Sequence, residues 1–169
     1  MEVSIDRLSS DDFLLSEVAR LSNRGISIAV DFDSTLCLTD GFPHIVAQNG
    51  RCFDILHKWQ DAGCKIILYT MRHDDDLDDA VEWCKECGFV FDGINKNQEN
   101  DERDPECDKL YAVFYIDDKA FGVPLLHDTE GKVRDHVDWD KIDSVFTPLI
   151  SEINEKIKTE KWLGKDLYL

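Results

Sequence analysis

The chain has 169 residues, of which 43% are hydrophobic, and its 36 acidic and 19 basic residues give a formal net charge of -17. This length supports one sizeable core rather than two, and the negative charge argues against long polyanions and anionic membranes as partners. No stretch has the roughly 18 apolar residues of a membrane span, and the N-terminus lacks a signal-peptide pattern, so we expect a cytoplasmic protein without a membrane partner.

Apolar residues follow two alternating patterns along the chain. Short runs rich in β-branched residues are typical of strands buried on both faces, whereas apolar residues three or four apart are typical of amphipathic helices. In chain order, the predicted elements are a helix at 9–22 capped at Ser9 or Ser10, a strand at 26–31, a helix from Asn49 to Gly63, a strand at 64–70, a helix from the acidic run at 73–79 to Gly88, and strands at 89–94 and 111–118. This alternation predicts an α/β fold with a central parallel sheet covered by helices.

The C-terminal segment is predicted to be helical from Asp138, which is a suitable N-terminal cap. Pro148 is expected to divide this segment into two helices, because proline has no N–H and its ring clashes with the preceding turn. Thr147 would then cap the second helix.

Polar side chains follow three of the predicted strands. Asp31 and Asp33 follow the first, Thr70 the second, and Asp117 and Asp118 the last. A single aspartate at a strand end often begins a turn or caps a helix, but ligands of parallel sheets bind beyond the carboxyl ends of the strands. Alternation along the strand would point Asp31 and Asp33 the same way and Phe32 into the core. Two like charges side by side are costly unless a cation or a shared proton compensates them. The combination therefore predicts a cation site, and hard oxygen ligands with a substrate phosphate suit Mg²⁺.

These residues resemble the motifs of the haloacid dehalogenase (HAD) superfamily. The run 31–36, DFDSTL, is similar to motif I, DxDx(T/S), Thr70 to motif II, and Asp117 with Asp118 to the double-aspartate form of motif IV. The resemblance covers roughly residues 26–127 and includes KLYAVFYIDDKAFG, which is similar to small capless hydrolases and capsule-biosynthesis-type phosphatases. It implies a HAD-like Rossmannoid three-layer fold with a central parallel sheet. The order and spacing of the three motifs together make this resemblance more specific than the DxD motif alone.

The spacing of the motifs leaves no room for a folded cap domain. We therefore expect an open site whose walls are residues 37–50 and residues 95–106. The expected organisation is an N-terminal helical extension at 1–25, a HAD-like catalytic core at 26–137, and a C-terminal helical segment at 138–169 that packs on the core.

The resemblance implies a magnesium-dependent phosphatase that acts through an aspartyl-phosphate intermediate. Asp31 would be the nucleophile, and Asp33 the general acid and base. Thr70 would donate a hydrogen bond to a phosphoryl oxygen, and Lys109, with Lys96 as the alternative, would neutralise charge. The metal would be held by Asp31, the backbone carbonyl of Asp33, and Asp117 or Asp118. Which of the last two binds directly stays open.

Two other functions fit the same residues. A non-catalytic or regulatory HAD-like domain would keep the acidic pocket and accept a phosphoryl group, although the spacing of Asp31 and Asp33 favours rapid turnover. A nucleotide or nucleic-acid end phosphatase is the third alternative, but the charge of -17 makes long polyanions poor partners without a basic second subunit. The substrate is expected to be phosphorylated, its class is open, and so is the oligomeric state, a homo-oligomer included.

Three weaker features have structural interpretations. Cys84 and Cys87 form a lone CxxC on the apolar face of a predicted helix, so we expect buried, reduced thiols rather than a metal or redox site. The acidic run at 73–79 is expected to charge a helix N-terminus rather than to bind a second cation. Arg72 and His73 follow motif II, where they would either contact substrate or join a surface ion network.

Overall fold

A computed structural model describes residues 12–23, 25–96, 106 and 109–162. The predicted caps Ser9 and Ser10, and most of the predicted wall at 95–106, lie outside the described residues. The elements are, in chain order, α1 (Asp12–Leu21), β1 (Ser27–Val30), β2 (Cys37–Leu38), β3 (Ala47–Gln48), α2 (Cys52–Asp61), β4 (Lys65–Leu68), α3 (Asp74–Glu86), β5 (Gly93–Ile94), β6 (Phe114–Ile116), β7 (Leu125–Leu126), β8 (His136–Val137) and α4 (Trp139–Trp162).

A four-stranded parallel sheet flanked by helices forms the centre of the molecule. Its strand order is β5-β4-β1-β6, so β1 is interior, and all four residues of β1 are buried. This is a Rossmann-like α/β architecture, which confirms the predicted fold class. The chain passes from β1 to β4 and β5 on one side and returns to β6 on the other, so a crevice is expected beyond the carboxyl ends of β1 and β6.

The sheet takes part in two buried clusters, because successive side chains of a strand point to opposite faces. Ile28 and Val30 belong to the main core, to which all four helices contribute buried residues. Ala29 belongs to a smaller cluster with Ile67 and Leu110. The larger cluster supports the strand ends from one side of the sheet.

The predicted strand at 89–94 is shorter than expected. Only Gly93–Ile94 pairs with β4. Phe89 is nevertheless fully buried, and its ring stacks on that of Phe53 with a centroid distance of 5.3 Å. Phe89 and Phe91 therefore pack in the core rather than pair in the sheet, whereas Val90 is exposed. A short apolar run in a sequence does not distinguish these cases.

The predicted division of the C-terminal helix at Pro148 is wrong, because α4 continues through this residue. Thr147 does not begin a new helix. Its hydroxyl donates to Asp143 Oδ1 at 2.5 Å and accepts the indole N–H of Trp59 at 3.0 Å. Contacts of α4 with α1 and α2 stabilise the helix across the proline. The predicted cap is correct, since Asp138 Oδ1 accepts the backbone N–H of Lys141 at 3.0 Å.

Two small antiparallel hairpins were not predicted. The pair β2 and β3 lies within the segment 37–50 that was expected to form a wall, and β7 pairs with β8 near the C-terminal helix. Within the described ranges, the only additions between β1 and β4 are the first hairpin and α2, so no cap domain is inserted there. None of the helices in the same ranges has the length and apolarity required to cross a bilayer.

Candidate metal and phosphate site

Asp31 and Asp117 lie next to each other beyond two neighbouring strands. Val30 of β1 and Ile116 of β6 are partners in the parallel register, and each is followed by an aspartate. The backbone N–H of Asp31 donates to the carbonyl of Ile116 at 2.9 Å, which extends the ladder by one bond. The register of the sheet thus brings these two strand ends together, as the sequence predicted.

Three carboxylates converge at this point. One oxygen from each of Asp31, Asp117 and Asp118 lies within 4.8 Å of the others. Elsewhere in the described chain, histidine, cysteine, aspartate and glutamate form no comparable group. The side chain of Asp118 is only 7% exposed, so its charge is poorly solvated. An all-oxygen donor set of this charge fits Mg²⁺ chemically, because this ion takes one or a few carboxylates together with water and phosphate oxygens.

The ionisation of Asp31 is costly in the absence of a cation. The pKa of Asp31 is raised from 3.8 to about 7, first by burial and then by the neighbouring charges of Asp117 and Asp118, against the bonds from the Phe32 N–H and the Thr35 hydroxyl, which lower it. A bound cation would favour the carboxylate form. The group of Asp31, Asp117 and Asp118 could therefore hold a cation.

Thr35 connects the two strand ends, and the sequence did not indicate this role. The fully buried hydroxyl donates to Asp31 Oδ2 at 3.2 Å and accepts the backbone N–H of Asp118 at 3.2 Å. Motif I contains this residue, but only the register of β1 and β6 shows that its hydroxyl lies between the Asp31 carboxylate and the Asp118 backbone N–H. Thr35 thus fixes the orientation of the Asp31 carboxylate relative to β6.

The loop that follows β1 is fixed by buried donors. The amide of Asn49 donates to the carbonyls of Thr35 and Val137, each at 2.9 Å, and the indole N–H of Trp139 donates to the same Thr35 carbonyl at 2.7 Å. Ser34, in this loop, has a φ of 59°. Such a conformation is uncommon for a residue other than glycine and occurs where the surrounding structure enforces it.

Asp33 does not join the group of three carboxylates. Arg72 donates from Nε to Asp33 Oδ2 at 2.9 Å and from Nη2 to Oδ1 at 2.7 Å, which is a bidentate ion pair. Phe32 is fully buried, as its alternation with the two aspartates predicted. We expected Asp33 to point the same way as Asp31, and the sequence did not indicate that the guanidinium of Arg72 would bond both oxygens of Asp33. The role of the Asp33 carbonyl at the metal stays a prediction.

Thr70 lies beyond the carboxyl end of β4. Its Oγ1 accepts the backbone N–H of Arg72 at 3.2 Å, and its own N–H donates to Asn95 Oδ1 at 2.8 Å. The hydroxyl proton of Thr70 takes no part in these two bonds, so it can be donated to a ligand. Asn95 has a φ of 53° and was not identified from the sequence, because an asparagine after a strand resembles an ordinary loop residue.

The two predicted lysines lie on different segments. Lys109 precedes β6 by several residues, whereas Lys96 follows β5, and both are exposed. A third lysine, Lys119, contacts the acidic group directly: its ammonium pairs with Asp118, and its backbone N–H donates to Asp117 Oδ1 at 2.7 Å. The structure therefore adds Lys119 to the candidates, and the assignment of Lys109 or Lys96 stays a prediction.

The CxxC and the acidic run have the expected structural contexts, whereas Arg72 differs. Cys84 is buried, Cys87 is partly buried, and both are free thiols whose pKa values are raised by burial. Three aspartates of the acidic run occupy the first turn of α3, Asp74, Asp75 and Asp76. Arg72 is buried and so does not belong to a surface ion network, whereas His73 forms an exposed pair with Asp74 at 3.0 Å.

Comparisons with known proteins support the fold and name no activity. No family model matches the chain, and no curated protein matches it. Among solved structures, a conserved protein from Bacteroides thetaiotaomicron is similar, with a TM-score of 0.59 and 28% sequence identity over 73% of this chain and 90% of that chain. Its description as a conserved protein carries no function, so the functional argument rests on the site.

Proposed function

We propose that this protein is a Mg²⁺-dependent, HAD-type phosphatase that hydrolyses phosphoric monoesters through an aspartyl phosphate on Asp31. The observation that carries the proposal is the convergence of Asp31, Asp117 and Asp118 within 4.8 Å at the carboxyl ends of neighbouring strands. The resemblance of residues 31–36, Thr70 and the aspartate pair to the motifs of that superfamily agrees with it.

Asp31, Asp117 and Asp118 would hold the metal. When bound, Mg²⁺ would offset the charge of these carboxylates and of the substrate phosphate. Thr35 prepares the nucleophile, because its hydroxyl holds Asp31 Oδ2. A fixed carboxylate needs little reorganisation before it attacks phosphorus.

The reaction would proceed in two displacements. A carboxylate oxygen of Asp31 would form a bond to phosphorus as the bond to the leaving oxygen breaks, and water would then cleave the aspartyl phosphate and release inorganic phosphate. The hydroxyl of Thr70 would donate to a phosphoryl oxygen, since its bond with the Arg72 N–H uses it only as an acceptor. Lys119, Lys109 or Lys96 would supply positive charge.

Asp33 would protonate the leaving oxygen and then activate the water. Each of its oxygens accepts one hydrogen bond from Arg72 and has a second lone pair that could face substrate or water. Because this ion pair engages both oxygens of the acid/base candidate, it also favours a second candidate function. This is a regulatory domain that accepts a phosphoryl group on Asp31 and releases it slowly. The two functions differ in turnover and not in the first chemical step.

Turnover of an aryl phosphate tests the proposal. The wild-type protein should hydrolyse p-nitrophenyl phosphate over many turnovers with Mg²⁺ and lose activity with EDTA, whereas Asp31→Asn should be inactive. Asp79→Asn, an exposed change on α3, is the matched control and should retain activity. Unchanged activity of Asp31→Asn would reject Asp31 as the nucleophile, and a single stoichiometric release of nitrophenol would favour the regulatory domain. A panel of phosphorylated metabolites would then identify the substrate class.

A further inference from the structure

Arg72 is a buried cation that no step of the proposed reaction uses. Its side chain is only 2% exposed, and its guanidinium carbon lies 4.7 Å from the ring centre of Phe32 and 5.2 Å from that of Phe42. Burying a guanidinium costs on the order of several kcal/mol of solvation free energy unless its N–H donors are paired. The groups that pair with the N–H donors of Arg72 therefore indicate what this residue does.

One guanidinium joins three segments of the chain. It forms the bidentate pair with Asp33, Nη2 also donates to the carbonyl of Pro43 at 2.9 Å, and Nη1 contacts the carbonyl of Asp76 in α3 at 3.5 Å. Asp33 belongs to the loop beyond β1, and Pro43 lies between β2 and β3. The acid/base candidate and the first hairpin thus share a single buried donor.

Residues 39–46, here called the hairpin tip, connect β2 to β3 next to the site. The tip is tied to the second hairpin by the N–H of Arg134, which donates to the carbonyl of Thr39 at 2.8 Å. Phe42 is 58% exposed and Val46 is 46% exposed, so Ile45 is the one apolar residue of the tip that packs against the core. With a single apolar residue packed in this way, the position of the tip depends strongly on specific contacts such as those of Arg72.

Arg72 also divides the charges at the crevice. Four carboxylates follow β1 and β6, and Arg72 takes both oxygens of one, Asp33, which leaves the group Asp31, Asp117 and Asp118 for a cation. A lysine could supply the same charge but not the two parallel N–H bonds that orient a carboxylate plane.

We propose that Arg72 is a positioning residue that orients Asp33 and holds the hairpin tip, so that the acid/base group and the pocket wall move together. The inference rests on the proposed function for the role of Asp33. The coupling between Asp33 and the hairpin tip follows from the contacts of Arg72 alone.

The test compares Arg72→Lys with a matched control, Arg51→Lys. Arg51 also donates from Nε and Nη2 to an aspartate, Asp140, at 3.1 and 2.8 Å, but this pair is exposed. Amide hydrogen exchange reports on the hairpin tip, calorimetry on Mg²⁺ affinity, and steady-state kinetics on kcat and KM separately.

Arg72→Lys should speed amide exchange in residues 39–46 by about tenfold, because it weakens the contacts that hold the hairpin tip to the loop after β1. It should lower kcat on the order of tenfold or more, as misplaced catalytic groups do, with KM changed much less. Mg²⁺ affinity should stay within about threefold, since lysine keeps the positive charge. Arg51→Lys should change none of these quantities.

Arg72→Lys with wild-type exchange and kcat would overturn the inference, because charge alone would then suffice. A lower kcat with unchanged exchange would also overturn it, since Asp33 and the hairpin tip would be independent. If Arg72→Lys does not fold, Phe42→Ala removes one ring from the guanidinium at an exposed position and should still speed exchange in the tip. If the wild-type protein shows no turnover, the proposed phosphatase activity is rejected. The exchange measurements would still decide whether Arg72 holds the hairpin tip.

Discussion

The cost of ionising Asp31 leads to a prediction about stability. Because burial raises the pKa of Asp31 to about 7, the folded protein holds this proton more tightly than the unfolded chain does. The free energy of unfolding of the metal-free protein should therefore decrease as the pH rises from about 4 to about 7 and change no further above that. Asparagine does not ionise, so Asp31→Asn should remove this contribution.

The magnitude follows from the shift. Between pH 5 and pH 7 the folded state keeps the proton that the unfolded state has lost, and at 1.36 kcal/mol per pKa unit this amounts to about 2–3 kcal/mol. Asp31→Asn should therefore gain about 2–3 kcal/mol of stability relative to wild type between pH 5 and pH 8. Comparing the two pH values cancels any pH-independent effect of the amide.

Urea unfolding with EDTA at pH 5 and pH 8 measures this difference, with Asp79→Asn as the control. Mg²⁺ at pH 8 should stabilise the wild type, because it binds the folded state, and should stabilise Asp31→Asn much less. An equal stability difference between wild type and Asp31→Asn at both pH values would refute the reasoning, as would equal stabilisation of both proteins by Mg²⁺.

Three further substitutions test the supporting structure. Thr35→Val should weaken Mg²⁺ binding by about tenfold in calorimetry, because it removes the hydroxyl that orients Asp31, and an unchanged affinity would contradict this role. Asn49→Leu should lower the free energy of unfolding by about 1–3 kcal/mol in urea, because the Val137 carbonyl loses this donor and the Thr35 carbonyl keeps only the indole N–H of Trp139, and wild-type stability would show that other donors replace the amide. Pro148→Ala should raise that free energy by about 1–3 kcal/mol, because it restores an N–H inside a continuous helix, and a decrease would indicate that the proline ring contributes to packing.

The fold class was predictable because it follows from local periodicity. Short apolar runs predicted the central strands, and the rule for strand ends predicted that Asp31 and Asp117 lie close together. The failures concern features that tertiary contacts decide. Pro148 lies inside a helix that neighbouring helices support. Phe89 is buried in the core but does not belong to a strand.

The candidate site was predictable only in part, for the same physical reason. The residue types at strand ends indicated a cation and phosphate, but the partners of each side chain are distant in sequence. Arg72 lies 39 positions from Asp33, and Thr70 lies 25 positions from Asn95. No local pattern specifies such pairs, because they depend on the sheet register and on the path of the first hairpin.

Borohydride trapping of the reacting protein tests the central proposal most directly. Protein mixed with aryl phosphate and Mg²⁺, quenched, and reduced with borohydride should contain homoserine at position 31, since the reductant converts an aspartyl phosphate to the alcohol. The product should be absent with EDTA and in Asp31→Asn, and mass spectrometry of the peptides locates it. Hydrolysis without any homoserine at position 31, or with homoserine at another aspartate, would contradict the assignment of Asp31 as the nucleophile.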